Sequence, residues 1–312
     1  MSKLGRTIEK IAYSRFIPNS IFTKYFSIKN GRNKNLLLSK LGPDQNILAL
    51  MNEKSQQYWL PRIREIKVSI DNAAIPRDSN AGRIVNGNLI MHNGIKVEPL
   101  SYYNYGMLKL LKDNTGVHEP QEEKVFQEVL NTLPSDKKLT MLELGAYWSF
   151  YSMWFLREHP TARCVMVEPD RMNLYYGKAN FKLNNMTGTF VQAGIGKEIE
   201  MDSPNLTVDQ ICEQQGLEFL DILHSDIQGF EVEMLEGAKK LLSEKRVGYV
   251  FISTHSNELH EQCYEVLKRY GFEMVASANL DESYSWDGVL VMKMPTYPGI
   301  EHVEISKRVV NS

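Results

Sequence analysis

Cysteine is scarce in this 312-residue sequence: only Cys164, Cys212 and Cys263 occur, far apart and with no CxxC pair. That spacing speaks against a disulfide framework. With Cys164 inside a predicted core strand, reduced thiols and a cytoplasmic location are expected. No apolar run reaches the length of a membrane span, and the first residues lack the apolar core of a signal peptide. Net charge is also small, at −2, which argues against a general nucleic-acid binder, so no nucleic-acid partner is expected. A full G-x-G-x-x-G is missing as well. What remains is ordinary for a globular protein, with 43% hydrophobic and 24% charged residues. The length allows one large α/β domain with an extension, or two domains.

The small net charge hides an asymmetry. Residues 1–40 carry nine Lys/Arg and one acid, Glu9, so this arm is +8 and the remainder −10. Ile8, Ile11, Ala12, Phe16 and Ile17 predict a short amphipathic helix ending before Pro18. The arm reads either as a weak contact with an anionic membrane surface or a partner, or as a segment packed on its own domain or on a second subunit of a homo-oligomer. Residues 41–118 read as a small α+β lead-in. A helix is predicted over Tyr58–Ile70, and short strands over Arg83–Val97 around the hairpin turns Asn86-Gly87 and Asn93-Gly94.

The strongest pattern runs from Thr140 to Asp170. A short apolar run ends in Gly145-Ala146, an apolar-rich segment follows from Ser149 to Glu158, and a second run, Cys164–Val167, stops at Glu168-Pro169. Strand, small-residue turn, helix, strand and acid is the layout of a nucleotide-binding βαβ unit. Glycine lets the backbone turn tightly beneath a ligand, and a carboxylate at the tip of the second strand can accept from two ribose hydroxyls.

Strand–helix alternation continues: a helix at 170–184, a strand near Thr189–Ala193, a short helix at Val208–Gln214 and a strand at Leu220–Ser225. A helix over Phe230–Leu242, a strand at Val247–Ser253 and a helix at Glu258–Tyr270 follow. Between the last two apolar runs, Phe272–Ala276 and Gly288–Met292, the polar loop Asp281–Asp287 is too short for a helical crossover. An antiparallel terminal hairpin is therefore expected. Upstream, His118 and Glu119 open a helix (Val125, Phe126, Val129, Leu130) that stops at Pro134. They either touch a ligand or place acids against the helix dipole.

Three stretches together resemble the FkbM family of S-adenosylmethionine-dependent methyltransferases over roughly 115–293. They are Leu142-Glu-Leu-Gly-Ala-Tyr-Trp-Ser-Phe-Tyr-Ser152, Val167-Glu-Pro169, and Leu223-His-Ser-Asp-Ile-Gln-Gly-Phe-Glu-Val-Glu-Met-Leu-Glu-Gly-Ala238. The last carries Asp-Ile-Gln-Gly-x-Glu running into Leu-x-Gly-Ala, the most specific of the three. One departure is Ser149, which stands where the family usually has a second Gly; Ser can cap the helix that follows.

The resemblance implies a Rossmann-like class I methyltransferase sheet, mostly parallel with a terminal antiparallel hairpin, spanning 115–295. An N-terminal basic arm with α+β extension would occupy 1–114, and a tail 296–312. It also implies S-adenosylmethionine as cofactor, held by Glu143, Gly145, Ala146, Ser149, Glu168, Pro169 and Asp226. Glu143 would attract the cofactor's ammonium.

Methyl transfer is an in-line displacement on a sulfonium methyl with a neutral thioether leaving. The protein must position the acceptor and, for a hydroxyl, remove its proton. Asp226 and His255, at the ends of neighbouring strands, could act as a base pair with the carboxylate orienting the imidazole. Alternatively Asp226, Glu231 and His255 could hold Mg²⁺ or another divalent cation that lowers the hydroxyl pKa. His224 is a further candidate, read as structural, and Gln228-Gly229 would shape the turn.

The acceptor class implied is a sugar, glycan or other small polar metabolite. Two rival readings are a nicotinamide-dependent oxidoreductase, which predicts the missing G-x-G-x-x-G and a further crossover helix, and a non-catalytic ligand-binding or assembly protein.

Overall fold

A computed structural model describes residues 18–102, 104–134, 136–198 and 204–309. The helix expected over Ile8–Ile17 lies outside the described residues. Helix α1 (Asn19–Leu41) comes first, then α2 (Glu53–Val68), whose N-terminus is capped by Asn52 accepting from the Ser55 N–H. Strands β1 (Ile84–Val85), β2 (Asn88–Ile90) and β3 (Lys96–Val97) form a small antiparallel sheet around the two Asn-Gly turns. Helix α3 (Tyr105–Asp113) was not legible from the sequence; Asn104 caps it by accepting from Met107 N. Helix α4 (Pro120–Thr132) starts on a proline, where the missing N–H would be unpaired anyway.

From Thr140 the chain alternates as expected. It forms β4 (Thr140–Leu144), α5 (Phe150–Glu158), β5 (Arg163–Val167), α6 (Arg171–Leu183) and β6 (Thr189–Val191). A short parallel pair follows, β7 (Gly194–Ile195) and β8 (Asn205–Leu206), and then α7 (Val208–Gln215) and β9 (Leu220–Ser225). Helices α8 (Glu231–Glu236) and α9 (Lys239–Ser243), strand β10 (Val247–Thr254), helix α10 (Asn257–Arg269) and strands β11 (Glu273–Ala278) and β12 (Gly288–Lys293) complete the described elements.

The central sheet has the order β11-β12-β10-β9-β4-β5-β6. Strand β12 runs antiparallel to both β10 and β11, and the other pairings are parallel. The mostly parallel sheet with its terminal hairpin is therefore present. Every residue of β9 and β10 is buried, because helices cover both faces of a parallel sheet. Apolar residues from Leu37 to Ile305 share one core, so the lead-in, the sheet and the last segment bury their side chains together.

Side-chain bonds tie the lead-in to the sheet layer. Asn184, which caps the C-terminus of α6, imitates a strand, accepting from Lys96 N (2.9 Å) and donating to Lys96 O (2.7 Å). Asn180, one turn earlier, accepts from Glu98 N and donates to Trp148 O. The last segment returns beside β11, where Val303 N donates to Val275 O, and Ser306 N donates to Asp71 of the lead-in.

The single helix expected over Phe230–Leu242 is two helices. Asp209 supplies the reason: its carboxylate accepts from Lys240 N and Leu241 N, each at 2.9 Å, and so caps a second helix start. Gly237 sits at the break, where a Cβ would lie 2.5 Å from Gly196 O.

Candidate active site

Adjacent β4 and β9 end side by side, Leu144 opposite Ser225, and Asp226 N donates to Leu144 O at 3.0 Å. Gly145, at φ +68°, follows at once, and a Cβ there would stand 1.7 Å from Asp226 O. This backbone crossing at the C-terminal edge of the sheet opens onto a cavity of about 550 Å³. Gly145, Glu168, Pro169 and Asp226 line it, together with Tyr147, Asn173, Gly194, Gln228 and Phe230.

Glu168 is buried at the tip of β5. Its Oε1 accepts from Asp170 N (2.8 Å) and Asn173 Nδ2 (3.1 Å), and its Oε2 accepts from Tyr147 N (3.0 Å). A carboxylate has about four acceptor positions, so one on Oε2 is left for a hydroxyl in the cavity. Burial raises the Glu168 pKa, against the pull of its three hydrogen bonds.

Three other predicted cofactor residues stand behind the cavity wall. Glu143 Oε2 accepts from Ser152 N (3.3 Å) at the start of α5, and burial lifts its carboxyl to about 7. Ala146 N is spent on Val167 O. Ser149 takes the N-cap position at φ 62° and ψ 41°, but its hydroxyl makes no capping bond, which corrects the capping expectation. It is directed at Gly177, where a Cβ would lie 2.6 Å from Ser149 Oγ. The left-handed backbone at Ser149 is the conformation that a glycine adopts without strain.

Asp226 and His255 meet as expected, with Nε2 3.3 Å from Asp226 Oδ1. A second carboxylate, Asp287, reaches the same nitrogen at 3.2 Å. The fully buried Glu231 holds the other side of the ring, accepting from Nδ1 at 2.7 Å and from Gly229 N at 2.9 Å. Burial alone would lower the His255 pKa, but the hydrogen bonds to Asp226 and Glu231 and the charge of Asp287 outweigh it and lift it to about 10. Three carboxylates around the ring hold His255 toward its imidazolium form, while Gln228 Nε2, 2.8 Å from Nε2, is a contact that only the unprotonated nitrogen accepts. In the imidazolium form the ring has no lone pair for an acceptor proton, and a carboxylate beside it would take that proton instead. Burial and the neighbouring Asp226 raise Asp287 to about 7, against the pull of His255.

The metal set changes in the same way. Ligand atoms of Asp226, His255 and Asp287 lie within 4.8 Å of one another. Glu231 faces Nδ1, on the far edge of the imidazole from that cluster, and so supports the ring instead of joining the set. Asp287 was missed in the sequence because it sits in a polar loop. The register Thr254↔Gly288 places it next to His255.

His118 and Glu119 border the same edge. Tyr151 OH donates to Glu119 Oε2 at 2.8 Å, and Glu119 is lifted to about 8 by burial, with Asp226 and Asp287 adding to the rise. His224 is buried beneath, its Nε2 2.7 Å from Glu122. His118 Nδ1 lies 2.6 Å from Glu123 Oε1. Burial works against both charges and is outweighed: His118 holds Glu123 down at about 2, and Glu119 and Glu123 lift His118 to about 9. The stability from the raised His118 is complete below its ordinary 6.5 and is lost as pH rises through about 9. Glu119 acts in the same direction. The melting temperature is expected to fall steadily over that alkaline range, and His118→Gln to flatten the slope; a parallel slope in the variant would contradict this.

Gln121, 1% exposed, fixes the loop that carries Asp287. Its Oε1 accepts from Tyr284 N (2.9 Å), and its Nε2 donates to Glu282 O (3.2 Å) and to Ser306 O. Gln121→Ala is expected to lower kcat by about 10–100-fold while donor affinity stays unchanged. Steady-state kinetics beside donor calorimetry separates the two.

The strand order, with one antiparallel strand inserted beside β10, and the glycine turn and acidic strand tip along one edge are those of a Rossmann-like sheet of the class I methyltransferase type. The sequence model for the methyltransferase FkbM domain matches residues 92–274, and the chain belongs to that family. Among solved structures, it is similar to the FkbM methyltransferase from Methylobacillus flagellatus KT. They share 17% identity over 75% of this chain and 58% of that one, with a TM-score of 0.42. It is also similar to precorrin-6y C5,15-methyltransferase from Geobacter metallireducens GS-15, at 16% identity over 55% of this chain and 89% of that one, with a TM-score of 0.40. A third is TrmK from M. capricolum, determined with S-adenosyl-homocysteine, at 10% identity over 58% and 71% of the two chains and a TM-score of 0.38. No curated protein matches the sequence.

Proposed function

We propose that this chain methylates a hydroxyl of a sugar, glycan or other small polar metabolite, with S-adenosylmethionine as donor. The observation that carries the reading is the meeting, at one cavity, of a nucleoside-type cradle with the Asp226 carboxylate, which adjoins Asp287 at His255. Gly145 lets the backbone approach the ligand, and the open position on Glu168 suits a ribose hydroxyl. Bound there, the donor supplies an electrophilic methyl group and leaves as a neutral thioether.

The remaining work falls to the protein. Asp226, its side chain 35% exposed at the cavity wall, accepts the acceptor's proton. Asp287 stands within reach of the same imidazole nitrogen and can share that proton. The His255 imidazolium, held by Glu231, balances the two carboxylates and keeps them together against their mutual repulsion. Phe230, 55% exposed on the cavity lining, offers a flat apolar face to a ligand.

One observation favours a second reading. Ligand atoms of Asp226, His255 and Asp287 within 4.8 Å of one another match a cation bound at about 2.0–2.5 Å from each. In that case His255 loses its Nε2 proton, and the cation, not a carboxylate, acidifies the hydroxyl. Turnover abolished by a chelator and restored by Mg²⁺ or Mn²⁺ selects the cation; turnover indifferent to chelator selects the carboxylates.

The acceptor reading is tested by screening hydroxyl-bearing sugars and polar metabolites with methyl-labelled donor and locating the label by mass spectrometry. Label on a nitrogen alone, or calorimetric heat with NAD and none with S-adenosylmethionine, would overturn it.

A further inference from the structure

Helix α1 has two apolar faces, and the sheet layer uses only one. Its inner face buries Phe22, Phe26, Leu37 and Leu41. Phe26 meets the rings of Tyr175 and Tyr176 edge-on, at 4.7 and 5.7 Å, and the Arg171 guanidinium lies 4.3 Å over Phe22. The outer face carries Ile21, Ile28 and Leu36, which are 58%, 53% and 52% exposed. Steps of seven and eight residues put them in one row. Leaving such side chains in water gains the fold nothing.

The charge around this row has one sign. Residues 19–43 contain Lys24, Lys29, Arg32, Lys34 and Lys40 and no Asp or Glu. Lys34 turns inward to Glu98, at 3.1 Å. Lys24 and Arg32 are exposed and each lies four residues from Ile28, within its row, while Lys40, four residues beyond Leu36, is exposed at the helix end. The sequence before the helix adds Lys3, Arg6, Lys10 and Arg15 against one acid. Protein-binding faces are instead enriched in aromatic anchors at a contiguous centre. Aliphatic side chains interleaved with long cationic ones on one exposed face suit a lipid headgroup layer, where apolar groups and cation stems enter and the charges reach phosphates. Among the described residues no helix is long and apolar enough to cross a membrane, so contact through α1 would be in the plane of the surface.

We propose that the outer face of α1 docks this protein on an anionic membrane surface, with Ile21, Ile28 and Leu36 entering the headgroup layer and Lys24 and Arg32 meeting lipid phosphates. The inference is independent of the acceptor's identity. It gives the +8 arm a role distinct from the cavity, and it would bring the active site to lipid-borne acceptors.

The test is co-sedimentation of the full chain with vesicles of phosphatidylcholine, with or without phosphatidylglycerol. The protein is expected to pellet with the anionic vesicles, not with the neutral ones, and less as salt rises. Ile21→Asp/Ile28→Asp and Lys24→Glu/Arg32→Glu are each expected to weaken pelleting at least about tenfold. Melting temperature and donor affinity should match the parent, since none of these residues touches the cavity. Three results would overturn the proposal: no pelleting of the parent, pelleting unchanged in the charge-reversed variant, or a parent dimer that these substitutions dissociate and that shows no vesicle binding. The last would assign the face to a second copy of the chain.

Discussion

Asp226→Asn is expected to slow methyl transfer by about 10²–10⁴-fold, the span that a positioned general base contributes. The side chain is 35% exposed and packs into no core, so little stability depends on it. Its backbone is fixed independently, by Asp226 N donating to Leu144 O and by the close pass over Gly145. The amide therefore occupies the carboxylate's place with the same shape and without its proton affinity. Donor affinity should change by no more than a few-fold. Single-turnover kinetics with labelled donor reads the chemical step, and calorimetry reads binding. A variant turning over at the parent rate would move the base role to Asp287, and Asp287→Asn would then carry the loss.

Gly145→Ala should act on the fold and the cradle together. A Cβ at this position lies 1.7 Å from Asp226 O and 2.7 Å from its carbonyl carbon, both backbone atoms that cannot rotate away. The residue also sits at φ +68°, where a Cβ costs about 1–2 kcal/mol, and forced overpacking adds about 1–3 kcal/mol. The β9 end must shift to make room, carrying Asp226 with it. Expected outcomes are a melting temperature lower by several degrees, donor affinity reduced at least about tenfold and turnover reduced further still. An alanine variant with parental affinity and melting temperature would mean that the two strand ends do not cross as closely as described.

Much of the sheet was legible in the sequence, for a physical reason. Buried parallel strands are short apolar runs, and the helices between them carry apolar residues at helical spacing, so Leu220–Ser225 and Val247–Ser253 stand out without tertiary information. The hairpin was legible from loop length, because Asp281–Asp287 cannot hold a crossover helix. Helix α1 was not, since apolar residues on two faces blur a one-sided period. The break at Gly237 was hidden too, because the cap that starts the second helix comes from Asp209, far away in sequence.

The candidate site divides along the same line. Gly145, Glu168 and Asp226 could be named from the sequence because each follows directly on a strand, and strand ends on one sheet edge converge. Glu143 and Ser149 lie as close in sequence to the cavity, yet their side chains are committed to the α5 start and to Gly177. Local spacing does not specify which way a side chain leaves a turn.

The sequence by itself determined the class of sheet, the family and the edge at which ligand meets protein, since these follow from hydrophobic period and from motifs local to single loops. Only the tertiary structure decided the chemistry at that edge. Insertion of β12 between β10 and β11 sets Gly288 opposite Thr254, which brings Asp287 to His255. The packing of α8 against α10 accompanies the bond that puts Glu231 on Nδ1. Three carboxylates drawn from separate elements then fix the charge of one imidazole, and electrostatics of that kind depends on distances that the order of residues along the chain does not contain.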